Sequence, residues 1–164
     1  MSDDELVEEI DAHGHVVGVV SRAEMRANRL RHRCVYLPIV DSLGRLLVHR
    51  RAATKDVWPG RWDVAAGGVV GAGEAWSLAA ARELAEEVGL VDVVLEPIGS
   101  GAYEDDEVRV LGRVYLVHSD GPFTYTDGEV VEARFVDAAG LAGLRRAEPF
   151  CPDSLAVVLP LLGW

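Results

Sequence analysis

Cysteine is nearly absent from this chain: Cys34 and Cys151 are the only two in 164 residues. They stand far apart, without the close spacing of metal-ligating thiols, so they read as two free thiols in a reducing compartment. Positive charge is also scarce, with 16 Lys and Arg against 27 Asp and Glu and a formal net charge of -11. Such an acidic surface repels a polyanion, which argues against a nucleic-acid polymer as partner. No apolar stretch is long enough to span a bilayer. The acidic start, MSDDELVEEI, has neither the basic opening nor the apolar run of a signal peptide, so a cytoplasmic protein without a membrane partner is expected. Repeats and low-complexity tracts are lacking too. What remains, 49% apolar and 26% charged residues over 164 positions, suits one globular domain spanning 1–164.

Against that background one segment is dense in chemistry. From Gly68 to Leu90 the chain reads GVVGAGEAWSLAAARELAEEVGL. Glu83, Glu86 and Glu87 fall at i, i+3, i+4, so a helix over about Ala75–Val88 projects all three carboxylates from one side. Like charges crowded in this way repel, and a hard divalent cation with oxygen ligands converts the repulsion into attraction. Glycines 67, 68, 71 and 73 lead into the helix and let main-chain atoms approach a ligand closely. On the other side, Leu78, Ala81, Leu84, Ala85 and Val88 are expected to pack on a sheet, with Gly89 ending the helix.

The remaining pattern is of strands with few helices. A hairpin is expected over about 5–21, turning at Asp11–His15, and Ser21 caps a short helix to Asn28. Cys34 to Val40 reads as an apolar strand pairing with Arg45 to Arg50, and Trp62 to Ala66 as a short strand entering the glycine turn. Further strands are expected near Val91–Pro97, Glu107–His118 and Glu132–Val136, then short helices at Leu141–Leu144 and Ser154–Leu162. This order predicts an α+β fold, a mixed sheet covered by helices.

The motif Gly68, five residues, Glu74, seven residues, Arg82-Glu83-Leu84, one residue, Glu86-Glu87, one residue, Gly89-Leu90 resembles the Nudix box at every fixed position (68–90). The resemblance implies a Nudix-type α/β/α sandwich and a pyrophosphohydrolase using Mg2+ or Mn2+ on a small diphosphate substrate. Glu86 and Glu87 are the first choice for metal ligands. Glu83 either completes the cage or accepts a proton from the attacking water, and the backbone of Gly67 or Gly68 offers a carbonyl. Arg82, counted with the three glutamates in the catalytic set, orients a carboxylate or is only a structural partner of Glu86 or Glu74, and Glu74 is architectural.

Upstream, Arg50, Arg51, Lys55 and Arg61 concentrate positive charge beside Trp58-Pro59-Gly60, with Arg51 and Lys55 suited to a diphosphate. The stretch HRRAATKDVWPGRWD resembles RRA-x-x-K-x-x-W-P-G-x-W of isopentenyl-diphosphate isomerase, in which the residues matching Arg51 and Lys55 hold the diphosphate. His32 matches a metal-ligand histidine of that enzyme. However, Gly67 stands where the isomerase has its catalytic cysteine, Val69 and Met25 replace histidine ligands, and Val110 replaces its second catalytic acid. Hydrolysis is therefore the expected reaction, and His32 a structural residue. Downstream, Glu129 and Glu132 compete for a further ligand or base role. The acidic run Tyr103–Glu107 reads as a solvated turn, and Trp58, Tyr103 and Phe123 as packing residues. A catalytically silent nucleotide-binding sensor is the alternative function, with the isomerase a third. A homodimer through the hairpin or the apolar C-terminus is one option for assembly.

Overall fold

The computed structural model describes residues 2–164. Strands β1 (Leu6–Ile10) and β2 (Val16–Ser21) form the N-terminal hairpin. Its turn is closed by Asp11, whose Oδ1 accepts from the N–H groups of His13 and His15 at 2.8 and 2.9 Å. Ser21 then caps α1 (Arg22–Ala27), accepting from Glu24 N at 3.1 Å, and buried Met25 anchors the helix. Six strands follow in order before and after the long helix α2 (Trp76–Val88): β3 (Arg31–Leu37), β4 (Ile39–Val40), β5 (Leu46–Arg51), β6 (Trp62–Asp63), β7 (Ala66–Val69), then β8 (Glu96–Glu104). The chain ends with β9 (Arg109–His118), β10 (Val130–Val136), α3 (Ala138–Ala147) and α4 (Pro152–Leu162).

The main sheet is mixed. β9 runs parallel to both β3 and β4 and antiparallel to β8, whereas β3–β7, β4–β5, β5–β6 and β5–β10 are antiparallel. Alternation along β3 divides its side chains between two cores. Val35 and Leu37 join Ala79, Ala80, Leu84 and Val88 of α2 on one face. Cys34 and Tyr36 join Val157, Val158 and Leu159 of α4 on the other. The result is the α/β/α sandwich expected.

Several expectations need correction. The segment Cys34 to Val40 is not one strand, because Pro38 divides it. Only Val40 meets Leu46 of β5, while β3 pairs with β7 and β9. Trp62 to Ala66 is likewise split between β6 and β7. Val91 to Leu95 is irregular, and the strand runs through Glu96–Glu104 instead, so Tyr103 and Glu104 lie in β8 rather than in a loop. Gly99 and Gly101 hid that strand from pattern reading. A Cβ at Gly99 would meet Leu161 at 2.8 Å and one at Gly101 would meet Val157 at 3.3 Å, so the glycines are what let α4 lie against β8. The helix expected over Leu141–Leu144 extends to Ala138–Ala147, capped by Asp137, which accepts from Gly140 N at 2.7 Å.

Candidate active site

The face of α2 is rotated from the one expected. Leu78 and Ala81 are exposed, whereas Glu83 and Glu87 are buried beside Ala80 and Leu84. Only Glu86 of the three acids stands half exposed at the rim. Periodicity alone cannot distinguish an apolar stripe from an adjacent acidic one when both are buried.

Two devices hold the buried acids. Arg82 donates through Nε and Nη2 to both oxygens of Glu74 (2.9 and 3.0 Å), through Nη1 to Glu83 Oε1 (2.6 Å) and through Nη2 to the Val69 carbonyl (3.1 Å). Glu74 in turn accepts from Gly71 N at 2.8 Å. Arg82 and Glu74 thus tie the glycine turn to the helix, the architectural role expected of Glu74. On the opposite side, Glu87 Oε2 accepts from Gly67 N at 3.2 Å, and Oε1 lies 3.0 Å from His49 Nε2 on β5. What Gly67 contributes to the carboxylates is therefore its N–H. Burial of His49 opposes its charge, but the Glu87 and Asp63 carboxylates prevail and raise its pKa.

Glu83 is pushed up to about 7 by burial, with Glu87 and Glu86 adding to the rise and Arg82 opposing it. Its carboxylate fills the space a side chain at Gly68 would take, since a Cβ there would come within 2.5 Å. Among the described residues no three acids converge as a ready-made cage. In donor chemistry the set still fits a hard divalent cation, because it offers carboxylate oxygens whose mutual repulsion is eased by Arg82 at Glu83 and by His49 and the Gly67 N–H at Glu87.

Glu83 and Glu86, but not the more deeply set Glu87, border a cavity of about 290 Å³. Arg51 and Lys55 line it as well, along with Arg22 and Arg26 of α1. The α1 arginines share Asp56: Arg22 Nη2 lies 2.5 Å and Arg26 Nε 3.2 Å from its Oδ2. Arg51 donates to the Val57 carbonyl at 3.0 Å and stands 3.7 Å from Asp63, while its buried Nε has no partner among the described residues. Lys55 Nζ donates to Glu129 Oε2 at 2.7 Å. Arg50 and Arg61 do not reach the cavity. Arg50 faces Glu132 across β5 and β10 at 3.7 Å, and Arg61 donates to the Phe150 carbonyl.

The same register separates the downstream acids. Glu129, with Asp127, lines the cavity, whereas Glu132 lies outside it, on β10 opposite Arg50. Of the aromatics, Trp58 lines the cavity with its edge toward Tyr103 (6.4 Å), and Phe123 packs against Tyr125 and Phe135. Met25 and Val110, expected in place of isomerase residues, are buried apolar side chains and Val110 lines the cavity wall, so neither supplies acid or base there.

Sequence reading missed Arg22, Arg26, His49, Asp63 and Asp153. The i, i+4 spacing of Arg22 and Arg26 was a usable signal for one basic edge of α1. Asp153 had none: Tyr36 Oη donates to its Oδ2 at 2.7 Å across 117 residues of chain. Burial and the nearby Asp63 push Asp153 up to about 6 against the Tyr36 bond.

This geometry agrees with the comparisons to known proteins. The profile of the NUDIX domain matches residues 30–155. The chain is 40% identical to an uncharacterized Nudix hydrolase of Pseudomonas aeruginosa, over 94% of this chain and 91% of that one. It is 38% identical to the uncharacterized Nudix hydrolase YfcD of Escherichia coli K12, over 92% and 83%. Among solved structures, a Deinococcus radiodurans protein superposes with a TM-score of 0.80 at 24% identity, covering 91% of this chain and 94% of that one. The NUDIX domain of Shewanella oneidensis NrtR, solved with ADP ribose, gives 0.61 at 17%, covering 84% and 94%. The chain belongs to the Nudix hydrolase family, whose members cleave pyrophosphate bonds. Among the described residues no helix is long and apolar enough to cross a membrane.

Proposed function

We propose that this protein hydrolyses the phosphoric anhydride bond of a nucleoside diphosphate-type substrate, a nucleoside di- or triphosphate or a derivative, with Mg2+ or Mn2+. The observation that carries this reading is the opposition, around one cavity, of acids from α2 and four cations from α1, the end of β5 and the β5–β6 loop. Glu83, Glu86 and Glu87 would hold the ion, which when bound supplies charge neutralisation and an acidified water. Arg82 keeps Glu83 in place and Glu74 keeps Arg82 in place. His49 and the Gly67 N–H do the same for Glu87. Arg51 and Lys55 hold the far phosphate, and Arg22 and Arg26 extend that cationic wall. Products are a phosphate or nucleoside monophosphate and the rest of the substrate.

The test is product release from a panel of diphosphate compounds, ADP ribose included, with and without Mg2+ or Mn2+. Metal-dependent turnover lost in Glu87→Gln supports the hydrolase. Folded protein that binds a nucleotide in Mg2+ and turns over nothing would establish a sensor instead. Conversion of isopentenyl diphosphate to its isomer would establish the third activity.

A further inference from the structure

His32 sits at the start of β3, 1% exposed, and lines the cavity. Its Nδ1 lies 2.9 Å from the Leu30 carbonyl. A carbonyl only accepts, so Nδ1 carries the proton and Nε2 carries a lone pair. That Nε2 is buried and has no hydrogen-bond partner among the described residues. An acceptor left in this state is costly and rare in a folded protein, and calls for a partner.

The surroundings say what kind of partner. Alternation along β3 puts Cys34 and Tyr36 on the face of His32, and the parallel register sets Val110 beside it; all line the cavity. The Tyr36 hydroxyl is taken by Asp153, Arg22 and Arg26 are paired with Asp56, and none of these groups donates to Nε2. A cation is disfavoured at Nε2 because burial, and after it the charges of Arg26 and Arg22, hold the pKa of this ring down at about 4. The imidazole therefore stays neutral, an acceptor of fixed direction beside the cationic wall.

We propose that His32 is a specificity-determining residue: its Nε2 lone pair receives an N–H or O–H donor on the group that the substrate carries beyond its diphosphate. The proposal rests on the diphosphate reading above and adds the side chain that inspects the rest of the substrate. A group presenting an oxygen lone pair at that point is rejected, since two acceptors would then be buried against each other.

The experiment is calorimetric binding in Mg2+ of inorganic pyrophosphate and of ADP, GDP, CDP and UDP to wild type, His32→Met and His32→Gln. The tightest of the four nucleotides is expected to lose about tenfold in affinity in His32→Met and to regain most of it in His32→Gln, which restores an acceptor. Pyrophosphate, lacking the donor group, should bind all three proteins alike. The 2′-deoxy and 3′-deoxy forms of that nucleotide locate the donor: loss of the His32 effect in either assigns it to that sugar hydroxyl, and persistence in both to a base N–H. Should His32→Met not fold, the Nε2 nitrogen resonance of wild-type His32 gives the same answer, moving from an unbonded to a hydrogen-bonded position on nucleotide addition. Equal losses for nucleotide and pyrophosphate, no loss for either, or an unmoved resonance would overturn the role of His32 while leaving the hydrolase intact. Absence of binding by every diphosphate would overturn both.

Discussion

His49 Nε2 lies 3.0 Å from Glu87 Oε1, and both side chains are sealed from solvent at 2% and 5% exposure. The ring nitrogen is off the line of an aligned hydrogen bond. The contact is therefore one of charge and packing, and it fixes the carboxylate from the sheet while the Gly67 N–H fixes it from the turn.

Glu87→Gln should lower metal-dependent turnover at least a hundredfold with little loss of fold, because the amide fills the same space between His49 and Gly67. His49→Phe removes only the positioning contact and is expected to cost about 10- to 100-fold in metal affinity or turnover, the range seen when a ligand's supporting residue is lost. Metal titration of turnover measures both.

Adjacent glycines should fail in different ways. A Cβ at Gly67 would come within 2.1 Å of the Val35 carbonyl, so Gly67→Ala has to move a β-strand and is expected to destabilise by about 3 kcal/mol or more. The nearest atoms to a Cβ at Gly68 are those of the Glu83 carboxylate, the far end of a side chain that can swing away. Gly68→Ala should keep the fold and lose activity, which thermal melts and turnover would separate.

Arg51→Met and Lys55→Met should raise KM more than they lower kcat, each by about tenfold, if they hold substrate and transition state alike. Arg50→Met, whose partner Glu132 faces away from the cavity, should change neither. Steady-state kinetics on any substrate found by the panel distinguishes the three.

His32 makes stability fall on acidification. The unfolded ring takes a proton near 6.5 and the folded one only near 4, so within that window the unfolded chain binds more protons. Stability attributable to this ring is lost from pH 6.5 toward 4, by about 3 kcal/mol. His32→Gln should flatten this part of the pH–stability curve in denaturant titrations.

Asp153 acts in the opposite sense. Burial and Asp63 lift its folded carboxyl from the ordinary 3.8 to about 6, so the folded chain holds the extra proton and stability declines as pH rises from about 4 through 6. Asp153→Asn still accepts from Tyr36 and carries no charge. It is expected to stabilise the protein on the order of 2 kcal/mol at pH 7.5 and hardly at all at pH 4, which melts at the two pH values would show.

What could be read from residues alone was whatever depends on near neighbours in sequence. The box from Gly68 to Leu90 placed the three glutamates, Arg82 and the glycine turn on one helix and its entrance, because 3.6-residue periodicity and glycine's freedom act over a few residues. The hairpin at 6–21 and the Ser21 cap were legible for the same reason.

Tertiary structure decided the rest through strand register. Leu78 and Glu83 exchanged their expected environments because what lies opposite α2 is set by β3, far upstream in the chain, together with the neighbouring β7. Which cations reach the cavity was settled in the same way: Arg51 points in and Arg50 out because side chains alternate along β5, and Glu132 followed Arg50 across the ladder while Glu129 stayed with Lys55. His49 meeting Glu87, Tyr36 meeting Asp153 and the solitary Nε2 of His32 are products of pairing between distant segments. Local sequence determined that this chain has the chemistry to cleave a pyrophosphate bond, and long-range packing determined which side chains surround the cavity where that chemistry is proposed to occur.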